Sequence, residues 1–231
     1  ILFGYDKWFE EDQLVIKDIP QVERTAVYRG YMMNPEKYER FYQHLLENNI
    51  RLITTPKEYE LMHIFPNVYE LLKQDTAKME RFMVKDFVKS VKGTEFPKLF
   101  DKDITQEEFD QWMEVFYKYR GNLLTGGICI KEYLNLKHYG NHTNEYRVFY
   151  INNKIATITR NSGQSINALL PPQQLLEKYS HMESGYYTVD YAELEDGSWK
   201  IIEAGDGQVS GLAEYQDYEQ YFKVLYEYLN E

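Results

Sequence analysis

The chain has 231 residues, enough for one large domain or two small ones with a sizeable core. Its formal net charge of -11 disfavours a general binder of nucleic acid or anionic membrane, because such proteins neutralise phosphates with excess Lys and Arg. One cysteine, Cys129, excludes an internal disulfide framework. With no signal-peptide shape and no apolar run near the ~18 residues of a membrane span, the cytoplasm is the expected compartment.

In chain order, residues 1–18 are aromatic and acidic and carry no assignable period. Residues 25–33, TAVYRGYMM, read as a strand bearing Arg29. Asn34-Pro35 then opens a helix, with Asn34 as N-cap and an apolar stripe of Tyr38, Phe41, Tyr42, Leu45 and Leu46. A short strand over 51–54 precedes Thr55-Pro56-Lys57-Glu58, a capping box with proline added. Strand, helix, strand, helix is the cadence of a small α/β layer, expected over residues 1–77.

A second unit is expected over residues 78–231. Residues 81–87 read as a strand, followed by a basic, glycine-containing turn. Thr105 and Glu108 form a capping box, Ile104 can staple against Phe109, and the helix they open should bury Phe109, Trp112, Met113, Phe116 and Tyr119. Residues 128–134 form an apolar strand, in which core packing suits Cys129 better than nucleophilic catalysis. Residues 144–150 and 154–159 pair across Asn152-Asn153. A helix from Pro172 to Met182 and a Tyr-rich amphipathic helix over 214–229 complete the unit. It reads as α+β and rich in antiparallel hairpins.

The most informative stretch is 187–212. Tyr187, Val189 and Tyr191 alternate with Thr188, Asp190 and Ala192, Asp196-Gly197 supplies a tight turn, and Trp199, Ile201 and Ile202 begin the return strand. Asp190 then sits inside one strand, Glu203 ends the other, and Asp206 follows in a loop with Gly205, Gly207 and Gly211. Carboxylates converging beside a glycine loop could bind Mg²⁺, which takes a few carboxylates and shares its other positions with phosphate and water. The bland alternative is a surface hairpin with solvated acids.

Lys85, Lys89 and Lys92 could grip phosphates as point charges, or simply line a solvated edge. Glu132-Tyr133 closes a strand where an acid beside exposed backbone could hold adenine and ribose. Arg147 could face a developing anion, although spacing favours a salt bridge with Glu145. Other templates fail. No GxxxxGK[ST] occurs, the glycines 205, 207 and 211 miss the dinucleotide spacing by one residue, and no nucleophile elbow is present. His138 and His142 are separated by Gly140 and Asn141, which argues for a loop and against a helical metal pair.

The order of these pieces resembles the ATP-grasp superfamily. VKDFVKS, GGICIKEY, NEYRVF, YTVDYAEL and IIEAGDGQVSGL are similar to one compact clade of it, named for two arginines and a lysine. The resemblance implies an ATP-grasp module, two α+β subdomains gripping ATP, preceded by a small α/β domain. It places Lys85 as the phosphate-binding strand lysine, Lys89 as a second lysine, Glu132 and Tyr133 at the adenine and ribose hinge, and Arg147 near the transferred phosphate. Asp190 and Glu203 match carboxylates that hold Mg²⁺. The superfamily pattern has Asn two residues after the Glu, whereas this chain has Gly205 there, and Asp206 is the expected replacement ligand. Arg29 is a candidate contact on the substrate side. The implied activity is an ATP- and Mg²⁺-dependent carboxylate-amine ligase, using small-molecule or peptide substrates and an acyl-phosphate. The alternatives are a phosphotransferase without ligation or an inactive nucleotide-binding protein.

Overall fold

The computed structural model describes residues 1–72 and 79–230. The expected boundary at residues 77 and 78 lies outside the described residues. The chain opens with β1 (Leu2–Phe3), α1 (Tyr5–Glu11) and β2 (Ile16–Lys17), where β1 and β2 pair antiparallel. β3 (Arg24–Ala26), α2 (Pro35–Glu47) and β4 (Ile50–Leu52) follow, and β3 and β4 are parallel, as the strand-helix-strand cadence requires. Asn34 Oδ1 accepts the Lys37 N–H at 2.8 Å, and the stripe buries Tyr38, Phe41, Tyr42 and Leu45 against Trp8 and Tyr28. α3 (Pro56–His63) starts on the reciprocal Thr55–Glu58 capping box, and α4 (Phe65–Leu72) packs onto it.

The next layer is β5 (Arg81–Asp86), β6 (Phe100–Asp101), α5 (Gln106–Arg120) and β7 (Ile128–Glu132), with the strands in the order β6-β5-β7. α5 opens on the Thr105–Glu108 box, and Ile104 and Phe109 join one aromatic core with Phe96, Phe100 and Phe116. A small hairpin of β8 (His138–Tyr139) and β9 (His142–Thr143) keeps the two histidines off any helix.

The main sheet holds β10 (Glu145–Ile151), β11 (Lys154–Arg160), β12 (Tyr186–Glu193) and β13 (Trp199–Asp206), ordered β11-β10-β12-β13 and antiparallel throughout. Asn152 and Asn153 both take positive φ at the first turn, 44° and 64°, as a tight hairpin of this type demands. α6 (Gln173–Lys178) lies between β11 and β12, and α7 (Tyr218–Leu229), capped by Asp217, closes the fold. Every residue of β12 is buried, because Tyr187, Val189 and Tyr191 face the core shared with α4 and α6 while the other face meets the cleft described below.

Several local expectations change: β7 stops at Glu132, short of the expected residue 134, and α7 starts at Tyr218 behind its Asp217 cap, not at residue 214. The strand over 25–33 stops at Ala26, because Tyr28 N turns to donate to Gln208 Oε1 (2.9 Å) and Arg29 reaches across to residues 207 and 210. β13 runs through Asp206, so Glu203 is inside the strand and Asp206 ends it. The helix after Pro172 ends at Lys178, and Tyr119 is exposed, its hydroxyl donating to Glu95.

The amino-terminal layer is joined to β13 by a buried polar seam. Gln208 Nε2 donates to Tyr38 Oη at 2.6 Å, Tyr38 Oη donates to Thr54 O at 2.8 Å, and Gln208 N donates to Asp206 Oδ1 at 2.9 Å. Tyr38 stacks on Tyr59 with ring centroids 3.8 Å apart, and Tyr59 stacks on His63 at 4.8 Å. Asp206 Oδ2 is buried and unbonded, with the Thr54 hydroxyl beside it but outside hydrogen-bond geometry. Burial, opposed by the backbone N–H groups, pushes the Asp206 carboxyl up to about 7.

Replacing Gln208 with Ala strands the Tyr28 N–H and removes the donor to Tyr38 Oη, and should lower unfolding free energy by about 2 kcal/mol in a denaturant titration. Asp206 carries a folded-state pKa above its unfolded value. The folded chain therefore holds a proton that the unfolded chain has released, and stability should fall as pH rises from about 4 to about 7. Asp206→Asn keeps the acceptor for Gln208 N and removes this titration. Its melting temperature at pH 8 should exceed that of the parent by about 3 °C or more, with the difference shrinking towards pH 4.

Candidate functional site

The two sheets face each other across a cleft, with the β5–β7 layer on one side and the β12–β13 hairpin on the other. Near the carboxyl end of β7 the cleft is apolar. A cavity of about 400 Å³ is lined by Phe65, Tyr69, Leu72, Ile130, Ile202 and Ala204, with Glu132 and Cys129 at its edge. An aromatic heterocycle suits such a slot, which is closed by aliphatic faces from two sheets. Cys129 is half-buried on β7, and burial pushes its thiol up, so it contributes surface and no thiolate. Tyr133 stands apart from this cavity: its N–H donates to Arg81 O at 2.9 Å, and its ring lies 4.8 Å from the Arg81 guanidinium.

Further along, the cleft turns polar. Lys85, Lys131, Arg147, Glu203, His63 and Ser210 line a space of about 230 Å³. A third space of about 650 Å³ continues from it past Lys85, Lys89 and Lys92. Lys131 and Glu203 border all three spaces, which makes them one continuous cleft. Burial pushes the Lys85 and Lys131 ammonium groups below their ordinary values, and Glu203 opposes this in both. Polyanionic phosphates entering here would meet positive charge that water screens poorly.

Local structure explains how the lysines are aimed. Lys85 precedes Asp86, whose fully buried carboxylate accepts from the N–H groups of Val88 (2.8 Å) and Lys89 (2.6 Å) through Oδ1. Its Oδ2 accepts from Arg120 Nε at 2.8 Å and Thr125 N at 3.2 Å. This knot pins the turn that presents Lys89. Gly126 and Gly127 lie flat on the Phe87 ring, where a Cβ on Gly126 would come within 2.2 Å of it. Lys131 also donates to Ile202 O, linking the two sides of the cleft.

On the hairpin side, register aligns Arg147 with Asp190 and Asp190 with Glu203 across three adjacent strands. Arg147 Nε and Nη2 donate to Asp190 Oδ1 and Oδ2 at 2.8 and 2.6 Å, and Nη1 donates to Gly211 O at 2.8 Å. The partner of Arg147 is therefore Asp190 and not Glu145, because a directly opposed cross-strand residue lies nearer than a neighbour two along the same strand. Burial raises the Asp190 carboxyl, with Arg147 opposing and Glu203 adding to the rise.

Of the three expected metal ligands, Asp190 and Glu203 share one face of the ladder. The Asp206 carboxylate points instead into the seam with Tyr38 and Thr54. Among the described residues no group of three or more His, Cys, Asp or Glu side chains forms a cage for a metal ion. The donor set fits a different kind of site, since Mg²⁺ is usually held by one or two carboxylates plus substrate phosphates. Glu203, with Asp190 beside it, would supply the protein's share. Arg29, expected on the substrate side, ties down the glycine loop through Gly207 O (2.7 Å) and Ser210 O (2.8 Å).

Sequence reasoning passed over Lys131, Asp86, His63 and Phe65. Alternation along ICIKEYL places Lys131 on the side opposite Glu132, and that signal was available. The other three gain their meaning only when α3 and α4 fold against the second layer. Among the described residues no helix is long and apolar enough to cross a membrane.

The model of an ATP-grasp domain family, the third family of the clade named for two arginines and a lysine, matches residues 65–225. No curated protein sequence matches. Among solved structures, the ATP-grasp ligase PsnB complexed with minimal precursor is similar, with a TM-score of 0.53 and 11% identity over 85% of this chain and 70% of that one. PsnB with minimal precursor, Mg and ADP scores 0.51 at 12% identity, over 84% of this chain and 67% of that one. The D-alanine-D-alanine ligase from Coxiella burnetii scores 0.51 at 12% identity over 83% of this chain, which spans 63% of that ligase. At such identities the likeness carries the fold, an α+β ATP-grasp architecture, while the family match rests on the sequence. The chain belongs to the ATP-grasp superfamily, in the third family of the two-arginine, one-lysine clade.

Proposed function

We propose that the protein is an ATP- and Mg²⁺-dependent carboxylate-amine ligase working through an acyl-phosphate. The observation that carries this reading is the graded cleft, apolar at the Glu132 end and polar at the Lys85, Lys131 and Glu203 end, between two facing sheets. The similar proteins described above, PsnB and the D-alanine-D-alanine ligase, are both ligases, which supports the same reading. In it, residues 1–77 form the small α/β domain and residues 78–231 the ATP-grasp domain.

The adenine would lie against Phe65, Ile130 and Ile202, with the ribose towards Glu132, while Tyr133, expected at this hinge, stays with Arg81 outside the slot. Lys85 and Lys89 would bind the phosphates from the β5 side, and Lys131 would do so from β7. Arg147, fixed by Asp190, would stand at the transferred phosphoryl group. Mg²⁺ would be held by Glu203 and Asp190 together with the phosphates, and when bound it offsets charge on the phosphoryl oxygens. No side-chain nucleophile is needed, because the substrate carboxylate attacks the phosphorus and an amine then attacks the acyl carbon. Positive groups aimed at the developing charge supply the rate enhancement.

A second reading, an inactive nucleotide binder, is favoured by Gly205 in the place of the usual Asn and by the Asp206 carboxylate facing the seam. Product analysis separates the readings. With ATP, Mg²⁺, a panel of carboxylic acids and amines, ligation yields ADP, phosphate and a new amide. Phosphotransfer without ligation leaves a stable phosphoester, and the inactive binder releases no ADP above background. Glu203→Gln should cut turnover about a hundredfold or more while leaving the fold intact. Lys85→Ala should weaken ATP binding about tenfold with a small change in melting temperature, and an unchanged affinity would remove Lys85 from the phosphate site.

A further inference from the structure

His63 is the last residue of α3 and lies one helical turn beyond Tyr59, on which its ring stacks at 4.8 Å and 19°. Tyr59 in turn stacks on Tyr38, so a column of rings holds the imidazole from behind. Its free edge borders the polar cleft together with Lys85, Lys131, Arg147 and Glu203. No described residue hydrogen-bonds either ring nitrogen. A half-buried histidine with both nitrogens uncommitted, facing a cleft of phosphate-binding cations, has no role in packing that requires imidazole.

The groups around it come from every neighbouring element. Lys85 and Asp86 belong to β5, Lys89 to the turn after it, and Tyr59 to α3 itself. Lys131 of β7, Arg147 of β10, and Glu203 and Asp206 of β13 line the same space. Burial first, then the charges of Lys89 and Lys85, push the imidazole down to about 4, with Asp86 opposing. The ring is therefore neutral near pH 7 and able to accept a proton.

We propose that His63 is the general base of the amide-forming half-reaction, taking a proton from the incoming ammonium group so that the free amine can attack. This rests on the ligase reading above. The ammonium loses one N–H proton to a ring nitrogen of His63, and the amine lone pair forms the new C–N bond at the acyl carbon. The C–O bond to phosphate breaks, and its electron pair leaves with the phosphate, which takes up the second N–H proton. His63 then returns its own proton to water. Nucleotide phosphates beside Lys85 and Lys89 cancel the charges that weaken the imidazole, so the base strengthens when the site is loaded. The amino-terminal layer thus supplies a reacting group as well as a wall.

The test compares two nucleophiles on His63→Gln and on His63→Phe, the second retaining a ring to stack on Tyr59. Free amino acids serve as carboxylates with ATP and Mg²⁺. The nucleophile is either hydroxylamine, already unprotonated at pH 7, or a second amino acid, whose amine is protonated there. The ratio of amide to hydroxamate should fall about a hundredfold in both variants. Parallel loss of the two products, or an unchanged ratio, would overturn the proposal. If the unmodified protein forms no hydroxamate from any acid, the ligase reading itself fails and the base assignment falls with it. An independent readout is the NMR titration of the His63 ring in the unmodified protein. Its pKa should rise by about one unit or more when a non-hydrolysable ATP analogue and Mg²⁺ are added. An imidazole whose titration ignores the nucleotide would contradict the proposed coupling.

Discussion

The register of three adjacent strands decides what this cleft can do. Arg147, Asp190 and Glu203 occupy matched positions on β10, β12 and β13, so one cation and two carboxylates share one face of the sheet. A slip of one residue would send all three to the opposite face, into the core of Tyr187, Val189 and Tyr191. That core is what prevents the slip, because those three rings and chains cannot be exchanged for charged groups without a large desolvation cost. The bidentate Arg147–Asp190 pair, also tied to Gly211 O, then links the ladder to the glycine loop. Packing on one face of the sheet thereby fixes chemistry on the other.

The seam between the amino-terminal layer and β13 extends this constraint. Gln208 binds Tyr28 N and the Tyr38 hydroxyl, and Arg29 binds the carbonyls of Gly207 and Ser210. A loop that follows a carboxylate-bearing strand is thus held by the opposite layer as well as by its own sheet, where Gly207 N donates to Tyr186 O and Ser210 Oγ bonds Thr188 Oγ1. Gly207 lies against the Tyr186 ring, where a Cβ would come within 2.8 Å, so the loop has little room to shift. The same layer places His63 and Phe65 in the cleft. Lys85 and Lys131 lie 4.9 and 5.9 Å from the Phe65 ring, which gives both ammonium groups a weak partner.

Much of the architecture was legible because local signals agreed with the final fold. Asn34-Pro35, the boxes at Thr55 and Thr105, Asn152-Asn153 and Asp196-Gly197 each carry their own hydrogen bonds or backbone preference, so they mark boundaries without tertiary help. The order of lysine strand, hinge strand, arginine hairpin and acidic hairpin sufficed to recognise the superfamily. Contacts between distant segments were not legible. Glu145 looked like the partner of Arg147 because it lies two residues away, while Asp190 is 43 residues on and directly opposite. Asp206 read as a ligand in a loop because β13 was expected to end sooner. Three more rungs beyond Glu203, an odd number, turn its side chain to the other face, towards Thr54 and Tyr38. His63 carried no signal at all, since its surroundings come from β5, β7, β10 and β13.

The central claim is that the protein supplies only part of a metal site and the nucleotide completes it. Calorimetric titration tests this directly, with Mg²⁺ alone, the non-hydrolysable ATP analogue alone, and the analogue in saturating Mg²⁺. The account predicts no measurable binding of Mg²⁺ alone, and nucleotide affinity strengthened about tenfold or more by the metal. Tight binding of Mg²⁺ without nucleotide, or no nucleotide binding at millimolar concentration, would contradict it.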